Sequence, residues 1–303
     1  MNKIIKAIKH PKVAMLYLLS KKMFYKLSDE RFLKIKYRLK TGKKLNIKEP
    51  KRFNEKMQWL KLYDRKDLYS LMVDKCEVKD LVGKSIGFEY VVPTIAVYNS
   101  FDDINFDELP NKFVLKCTHD SGTVIVCKDK TTLDIEAARN KINNRMTYNY
   151  YYNCREWPYK NVKPRIIAEE FIENSGDDVL NVYKVFNFNN GEQIIQVIQN
   201  DKTCDESIDY FDSQWNLLEL RQNYPNSKIP LSKPKNLDKM LEVSKKLSEG
   251  FAFLRIDFYE ANGKMYFSEF TFYSDAGFAS FVPESWDYVL GDKIDLKYLK
   301  MRD

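Results

Sequence analysis

Glycine is scarce: the 303-residue chain has 10, about half the roughly 7% average, which leaves no room for collagen-like repeats or glycine-rich linkers. Histidine is scarcer still. With only His10 and His119, a multi-histidine zinc site is excluded, and a hydrolase built on a Ser-His-Asp or Cys-His pair would have to use His119, because His10 lies in a basic N-terminal arm. Five cysteines (Cys76, Cys117, Cys127, Cys154, Cys204) form no C-x-x-C pair. Their odd number argues against a disulfide framework and for a reducing compartment, and they read as small core residues. Neither G-x-x-x-x-G-K-[ST] nor G-x-G-x-x-G occurs, which argues against P-loop and dinucleotide-fold nucleotide sites. No run reaches the ~18 apolar residues that span a bilayer. The stretch Val13 to Leu19 has lysines on both sides and no small-residue cleavage site, which disfavours a secretory signal.

Charge is plentiful and uneven. The net +7 divides into +12 on residues 1–49, where 13 lysines and 2 arginines face Asp29, Glu30 and Glu49, and −5 on the remainder. Residues 3–40 place lysines among Ile, Leu, Phe, Tyr and Met at helical spacing, interrupted at Pro11 and ending near Thr41-Gly42. Such a basic amphipathic arm is either the solvated face of a docked helix or an attachment to an anionic membrane, where each lysine near the headgroups contributes about 1 kcal/mol. Its aromatics show no stacking platform for nucleic acid.

Beyond the arm, helices are expected at 53–60, at 66–82 ending near Gly83, at 131–146 and at 236–249. Strands are expected at 91–93, 113–117, 124–127, 165–172, 180–188, 192–200, 253–259 and 264–273. Antiparallel hairpins mixed with helices give an α+β class. Four regions follow: an arm at 1–49, a helical and α/β region at 50–111, and two α+β subdomains at 112–172 and 173–303.

The segment Leu254 to Phe272 is the most informative. A two-residue Asn262-Gly263 turn would pair 257 with 268 and send Asp257 and Glu269 to opposite faces. A three-residue Ala261-Asn262-Gly263 loop would pair 257 with 267 and 255 with 269. That register lines Arg255, Asp257, Glu269 and Thr271 on one face and Leu254, Ile256, Phe258, Phe270 and Phe272 on the other, and the amphipathic split favours it. Two carboxylates beside an arginine and a hydroxyl suit Mg²⁺ held against phosphate oxygens; equally, they suit a salt-bridged exposed sheet face. Lys116 sits mid-strand before the loop His119-Asp120-Ser121-Gly122-Thr123, a fit for phosphate as well as for an edge charge.

A strand lysine before a glycine loop, a Glu169-Glu170-Phe171-Ile172 strand running into the polar loop 174–178, and a hairpin with acids twelve residues apart together resemble the ATP-grasp superfamily. The phrases Arg52-Phe53-Asn54-Glu55-Lys56, Asp74-Lys75, Lys116-Cys117-Thr118-His119-Asp120-Ser121-Gly122, Arg155-Glu156-Trp157, Tyr183-Lys184-Val185-Phe186 and Glu269-Phe270-Thr271-Phe272 look like its TupA-like branch of surface-polysaccharide biosynthesis, over about residues 50–290.

The resemblance implies an ATP-grasp fold, two α+β subdomains sandwiching ATP. It implies that Lys116 contacts the phosphates, that Ser121 and Gly122 cover them, that Glu169 with backbone near Phe171 and Ile172 holds adenine, and that Asp178 holds ribose. Lys184 and Arg255 would face the γ-phosphate, with Asp257 and Glu269 on Mg²⁺ and Thr271 where the superfamily often has Asn. Lys79 stands where the branch often has Arg, which costs a bidentate anion contact.

The activity implied is an ATP- and Mg²⁺-dependent carboxylate–amine ligase acting through an acylphosphate. A uronic-acid glycan would be the acceptor and an amino acid or other amine the donor. A lipid-linked glycan would account for the basic arm and a cytoplasmic position at the inner membrane face. His119 is either a base for the amine, a phosphate donor, or a structural turn residue. The tyrosine-rich stretch from Tyr148 to Tyr159, with Trp157, suits sugar stacking or packing. Two other classes fit parts of the pattern: a metal-dependent glycosyltransferase, whose D-x-D pair after a hydrophobic strand is missing, and a non-catalytic membrane-bound scaffold with a degenerate nucleotide fold.

Overall fold

The computed structural model describes residues 11–174, 180–200 and 203–300. Its helices in chain order are α1 (Pro11–Leu19), α2 (Asp29–Thr41), α3 (Phe53–Tyr63), α4 (Asp67–Val73), α5 (Glu77–Ile86), α6 (Ile135–Met146), α7 (Tyr151–Cys154), α8 (Leu237–Leu247), α9 (Trp286–Asp292) and α10 (Lys297–Lys300). One antiparallel sheet has the order β1 (Thr94–Tyr98), β4 (Ile166–Glu170), β2 (Phe113–Cys117), β3 (Val124–Cys127). The other runs β10 (Lys264–Thr271), β9 (Phe253–Ala261), β5 (Val182–Phe188), β6 (Gln193–Gln199), β7 (Ser207–Asp212). A small pair joins β8 (Arg221–Gln222) to β11 (Phe281–Val282). The α+β class is as expected, but the boundary drawn at 111/112 cuts through the first sheet, because β1 pairs with β4.

The expected helix over 66–82 is two helices. At the break the Asp74 carboxylate accepts the backbone N–H of Cys76 at 2.8 Å, an Asx turn that competes with continued helix, and receives Arg165 at 2.7 Å. The strand expected at 91–93 starts at Thr94 instead, after Pro93.

The larger core lies on the apolar face of the five-stranded sheet. Leu254, Ile256, Phe258 and Phe270 are fully buried there, and α8 contributes Leu237, Met240 and Val243. The 52–56 phrase is a structural clamp. Asn54 exchanges hydrogen bonds with the backbone of Ala279 at 2.9 and 3.0 Å, Lys56 donates to the carbonyls of Gly291 and Ile294, and Glu55 accepts the backbone N–H groups of Lys51 and Arg52.

The arm drawn at 1–49 is a correction. Phe32, Leu33, Tyr37, Leu45 and Ile47 are buried together against Trp59, Leu62 and Phe278, so the segment from α2 onward belongs to the body. Arg155, itself buried, donates to the carbonyl of Phe24 at 3.1 Å and pairs with Asp29, which also accepts from the Tyr151 hydroxyl at 2.6 Å. The five cysteines are free; Cys117, Cys127 and Cys154 are core residues as expected, whereas Cys204 is exposed.

Candidate active site

The turn between β9 and β10 has two residues, Asn262 and Gly263, both in the left-handed region at φ +52° and +73°, as a type I′ turn requires. The three-residue loop is therefore not the one formed. Pairing runs regularly from Ala261↔Lys264 to Phe258↔Phe267, then a bulge at Ser268 shifts it by one, to Asp257↔Glu269 and Arg255↔Thr271. The bulge achieves what the longer loop was expected to: the four polar residues share a face, and the two acids are directly opposite rather than diagonal. On the neighbouring strand Lys184 is opposite Asp257.

Side chains on that face form one network. Arg255 grips Asp257 through Nε at 2.7 Å and Nη2 at 2.8 Å, donates to the Thr271 hydroxyl at 2.9 Å, and lies 3.6 Å from Glu269. Lys184 Nζ is 3.6 Å from Asp257 Oδ2. Burial works against the Arg255 charge, but Asp257, Glu269 and Asp275 outweigh it and hold its pKa above the ordinary arginine value.

The first sheet contributes a second network. Lys116 reaches Glu169 at 2.5 Å across β2 and β4, and Lys79 from α5 reaches the other carboxylate oxygen at 2.6 Å. Burial would raise the Glu169 carboxyl, yet the two ammonium groups overcome it and depress its pKa. Lys116 is likewise pulled down by burial but held above the ordinary lysine value by Glu169, Tyr259 and Glu269. Burial wins at Lys79, whose pKa is lowered despite Glu169.

Both networks open on a single cavity of about 280 Å³ between the sheets, lined by Lys116, Ser121, Gly122, Glu169, Lys184, Asp257 and Glu269. Gly122 stands at φ +98° with open space where a side chain would project, so its backbone conformation is what calls for glycine. The loop is pinned by Thr123 donating to Asp120 at 2.5 Å. Arg255 and Thr271 sit behind the acids and reach the cavity through them.

Three further expected residues, His119, Phe171 and Ile172, do not line it either. His119 is buried with Nε2 at 3.1 Å from the Arg145 carbonyl, and Phe171 and Ile172 lie half-buried beyond the end of β4. Asp178 is outside the described residues.

Lys75 and Lys79 also line the cavity; the sequence marked Lys79 as the place of an anion contact and gave Lys75 no role, and with Val78 they stand at i, i+3 and i+4, a one-face signal. Lys75 Nζ donates to the Asp120 carbonyl. Glu156 is buried within electrostatic reach of Arg255 and Glu269. Burial lifts its carboxyl pKa against the pull of Lys61, Lys36 and Arg255.

The donor set fits Mg²⁺. Asp257 and Glu269 offer hard oxygens across a strand pair, and each Asp257 oxygen keeps a lone pair beyond the one Arg255 engages. Among the described residues no group of three or more His, Cys, Asp and Glu converges, so the remaining positions of such an ion would fall to phosphate oxygens and water.

A family model described as TupA-like ATPgrasp matches residues 55–295. The chain belongs to the TupA-like ATP-grasp family. Similar solved structures include D-alanine–D-alanine ligase from Bacillus anthracis complexed with ATP (16% identity, 77% of this chain and 66% of that chain, TM-score 0.43). Two more are D-alanine–D-alanine ligase from Helicobacter pylori (16%, 80% and 69%, 0.39) and a RimK domain ATP-grasp protein from Sphaerobacter thermophilus (14%, 74% and 67%, 0.39). No curated protein sequence matches.

Proposed function

We propose that this ATP-grasp protein joins the carboxylate of a uronic acid, in a surface or capsular polysaccharide or its precursor, to the amine of an amino acid or related compound, driven by ATP with Mg²⁺. The observation that supports this reading is the convergence of Lys116 from one sheet and Lys184, Asp257 and Glu269 from the other on one cavity. Four lysines line it, Lys75, Lys79, Lys116 and Lys184, beside the carboxylates of Glu169, Asp257 and Glu269, so cations suited to phosphates and acids suited to Mg²⁺ face the same space. ATP supplies the phosphoryl group that activates the acceptor carboxylate. Lys116, the Ser121-Gly122 backbone and Lys184 hold the phosphates, Asp257 and Glu269 hold Mg²⁺, and Arg255 fixes Asp257 while presenting its charge toward the transferring group. Glu169 exchanges its lysine partners for the nucleotide when it binds.

Membrane contact is part of the reading. α1 exposes Val13, Met15, Tyr17 and Leu18, with Met23 beyond it, among Lys12, Lys21, Lys22 and Lys26; apolar side chains rimmed by ammonium groups suit an anionic bilayer surface. No helix among the described residues is long and apolar enough to cross a membrane.

The test is incubation with ATP, Mg²⁺, a panel of amino acids and uronic-acid oligosaccharides, followed by product mass and ADP release. Expected is a mass gain of one amine minus water, matched by ADP. Sugar-nucleotide turnover without ATP would replace the ligase by a glycosyltransferase, and no ATP binding would leave a scaffold.

A further inference from the structure

A second concave surface shares no residue with the nucleotide cavity. It is a groove of about 870 Å³, in the size range of ligand clefts, about 300–1,000 Å³. Its walls come from three elements. The strap 44–48 alternates: Leu45 and Ile47 turn into the N-terminal core, at 4% and 7% exposure, so Lys44, Asn46 and Lys48 turn outward. α2 contributes Glu30 and Lys34, paired with each other at 2.5 Å. α3 contributes Trp59 and Tyr63, one turn apart on the same face, their ring centroids 4.9 Å apart and tilted by 48°.

The groove is built rather than incidental. Trp59 packs against both the main core and the N-terminal core, which fixes the ring. The strap is pinned, because Asn46 exchanges hydrogen bonds with the backbone of Glu49 at 2.9 and 3.1 Å and gives its own N–H to the buried Glu55. Tyr63 is 56% exposed. Lys44 and Lys48 have no ion-pair partner among the described residues, although the chain from residue 50 onward carries a net −5. An aromatic floor with two unpaired ammonium groups on one rim fits a sugar ring that carries carboxylates: the ring's C–H face stacks on the aromatic, and each carboxylate meets a lysine.

We propose that this groove is a second carbohydrate subsite, which holds an acidic oligosaccharide with a sugar ring on Trp59 and Tyr63 and its carboxylates on Lys44 and Lys48. The choice of uronate rests on the ligase reading above; the groove's chemistry does not.

The test is equilibrium binding without ATP, using the full chain, hexagalacturonate, and its methyl ester, which keeps the sugar and removes the charge. Wild type is expected to bind the acid at least about tenfold more tightly than the ester, and Lys44→Gln with Lys48→Gln to lose about tenfold for the acid. Tyr63→Ala weakens both ligands, and ATP affinity stays unchanged in all variants. Equal binding of acid and ester, or undiminished binding by the double variant, overturns the subsite. Loss of binding to phosphatidylglycerol vesicles in the double variant, with hexagalacturonate binding intact, assigns the groove to lipid headgroups and overturns it as well. Acid-selective binding that the double variant loses, in a protein releasing no ADP with any acceptor, keeps the groove and removes the ligase. ADP release with monomeric galacturonate but no hexagalacturonate binding does the reverse.

Discussion

Asp257 and Glu269 face each other across the hairpin but carry different structural burdens. Asp257 is the bidentate partner of a buried guanidinium, whereas Glu269 is a third exposed and only 3.6 Å from the same arginine. Breaking a buried ion pair by removing one partner costs about 3–5 kcal/mol, while an exposed one contributes about 0–1 kcal/mol. Asp257→Asn is therefore expected to lower stability to urea by about 3–5 kcal/mol as well as abolishing turnover. Glu269→Gln is expected to leave the urea midpoint nearly unchanged and to lower ATP-dependent ADP release about a hundredfold or more, with a raised Mg²⁺ requirement. Undiminished ADP release by Glu269→Gln would remove the metal assignment.

Between residues and whole molecule, the elements show how much was readable. The β9–β10 hairpin was legible through its alternation, and so was the slip within it. Met265 and Phe267 are apolar at odd positions, Phe270 and Phe272 at even ones, and a strand can change phase only through an inserted residue, here Ser268. The sequence reading placed that extra residue in the turn, because a loop and a bulge correct the phase equally well and alternation alone does not separate them. Lys116 was legible as a strand lysine, but its contact with Glu169 required knowing that β2 and β4 pair across fifty residues. His119 drew attention by being rare, which carries no information about where a ring points.

The role of Lys61 was hidden for a related reason: nothing in a helical pattern marks a lysine that turns inward. It is fully buried and donates to Gln58, to the carbonyl of Cys154 at 2.9 Å and to that of Ala276 at 2.7 Å, tying α3 to α7 and to the loop after β10. Burial pulls its pKa from 10.5 to about 8. Between those values the unfolded chain holds a proton that the folded protein has released, so the contribution of this group to stability rises with pH across about 8 to 10.5. Urea midpoints measured over that window should climb more steeply for wild type than for Lys61→Met. Parallel curves would mean that Lys61 stays protonated in the fold.

At the scale of the whole molecule, the division of charge into a +12 arm and a −5 body was real in the sequence but misplaced as a structural boundary. Charge counting does not see that Phe32, Leu33 and Tyr37 turn one side of a lysine-rich helix inward, or that Arg155, from far along the chain, reaches back to Phe24 and Asp29. The boundary that matters for any membrane contact lies earlier, near Ser20, where the exposed apolar residues of α1 end and the 3-10 turn Lys22–Lys26 leads into the body. Two truncations separate these roles. Deleting residues 1–20 removes α1 and four lysines, Lys3, Lys6, Lys9 and Lys12, at about 1 kcal/mol of headgroup attraction each, and spares the buried cluster except for Leu19. That protein is expected to fold, to turn over soluble substrates at the wild-type rate and to lose binding to phosphatidylglycerol vesicles. Deleting residues 1–40 also strips three large buried side chains, each worth about 2–5 kcal/mol, and leaves Arg155 buried without Asp29. This second protein is expected to be insoluble or unfolded at 25 °C by circular dichroism. A stable, active product from the longer deletion would return α2 to the status of an appendage, and vesicle binding unchanged by the shorter one would remove the membrane from the account.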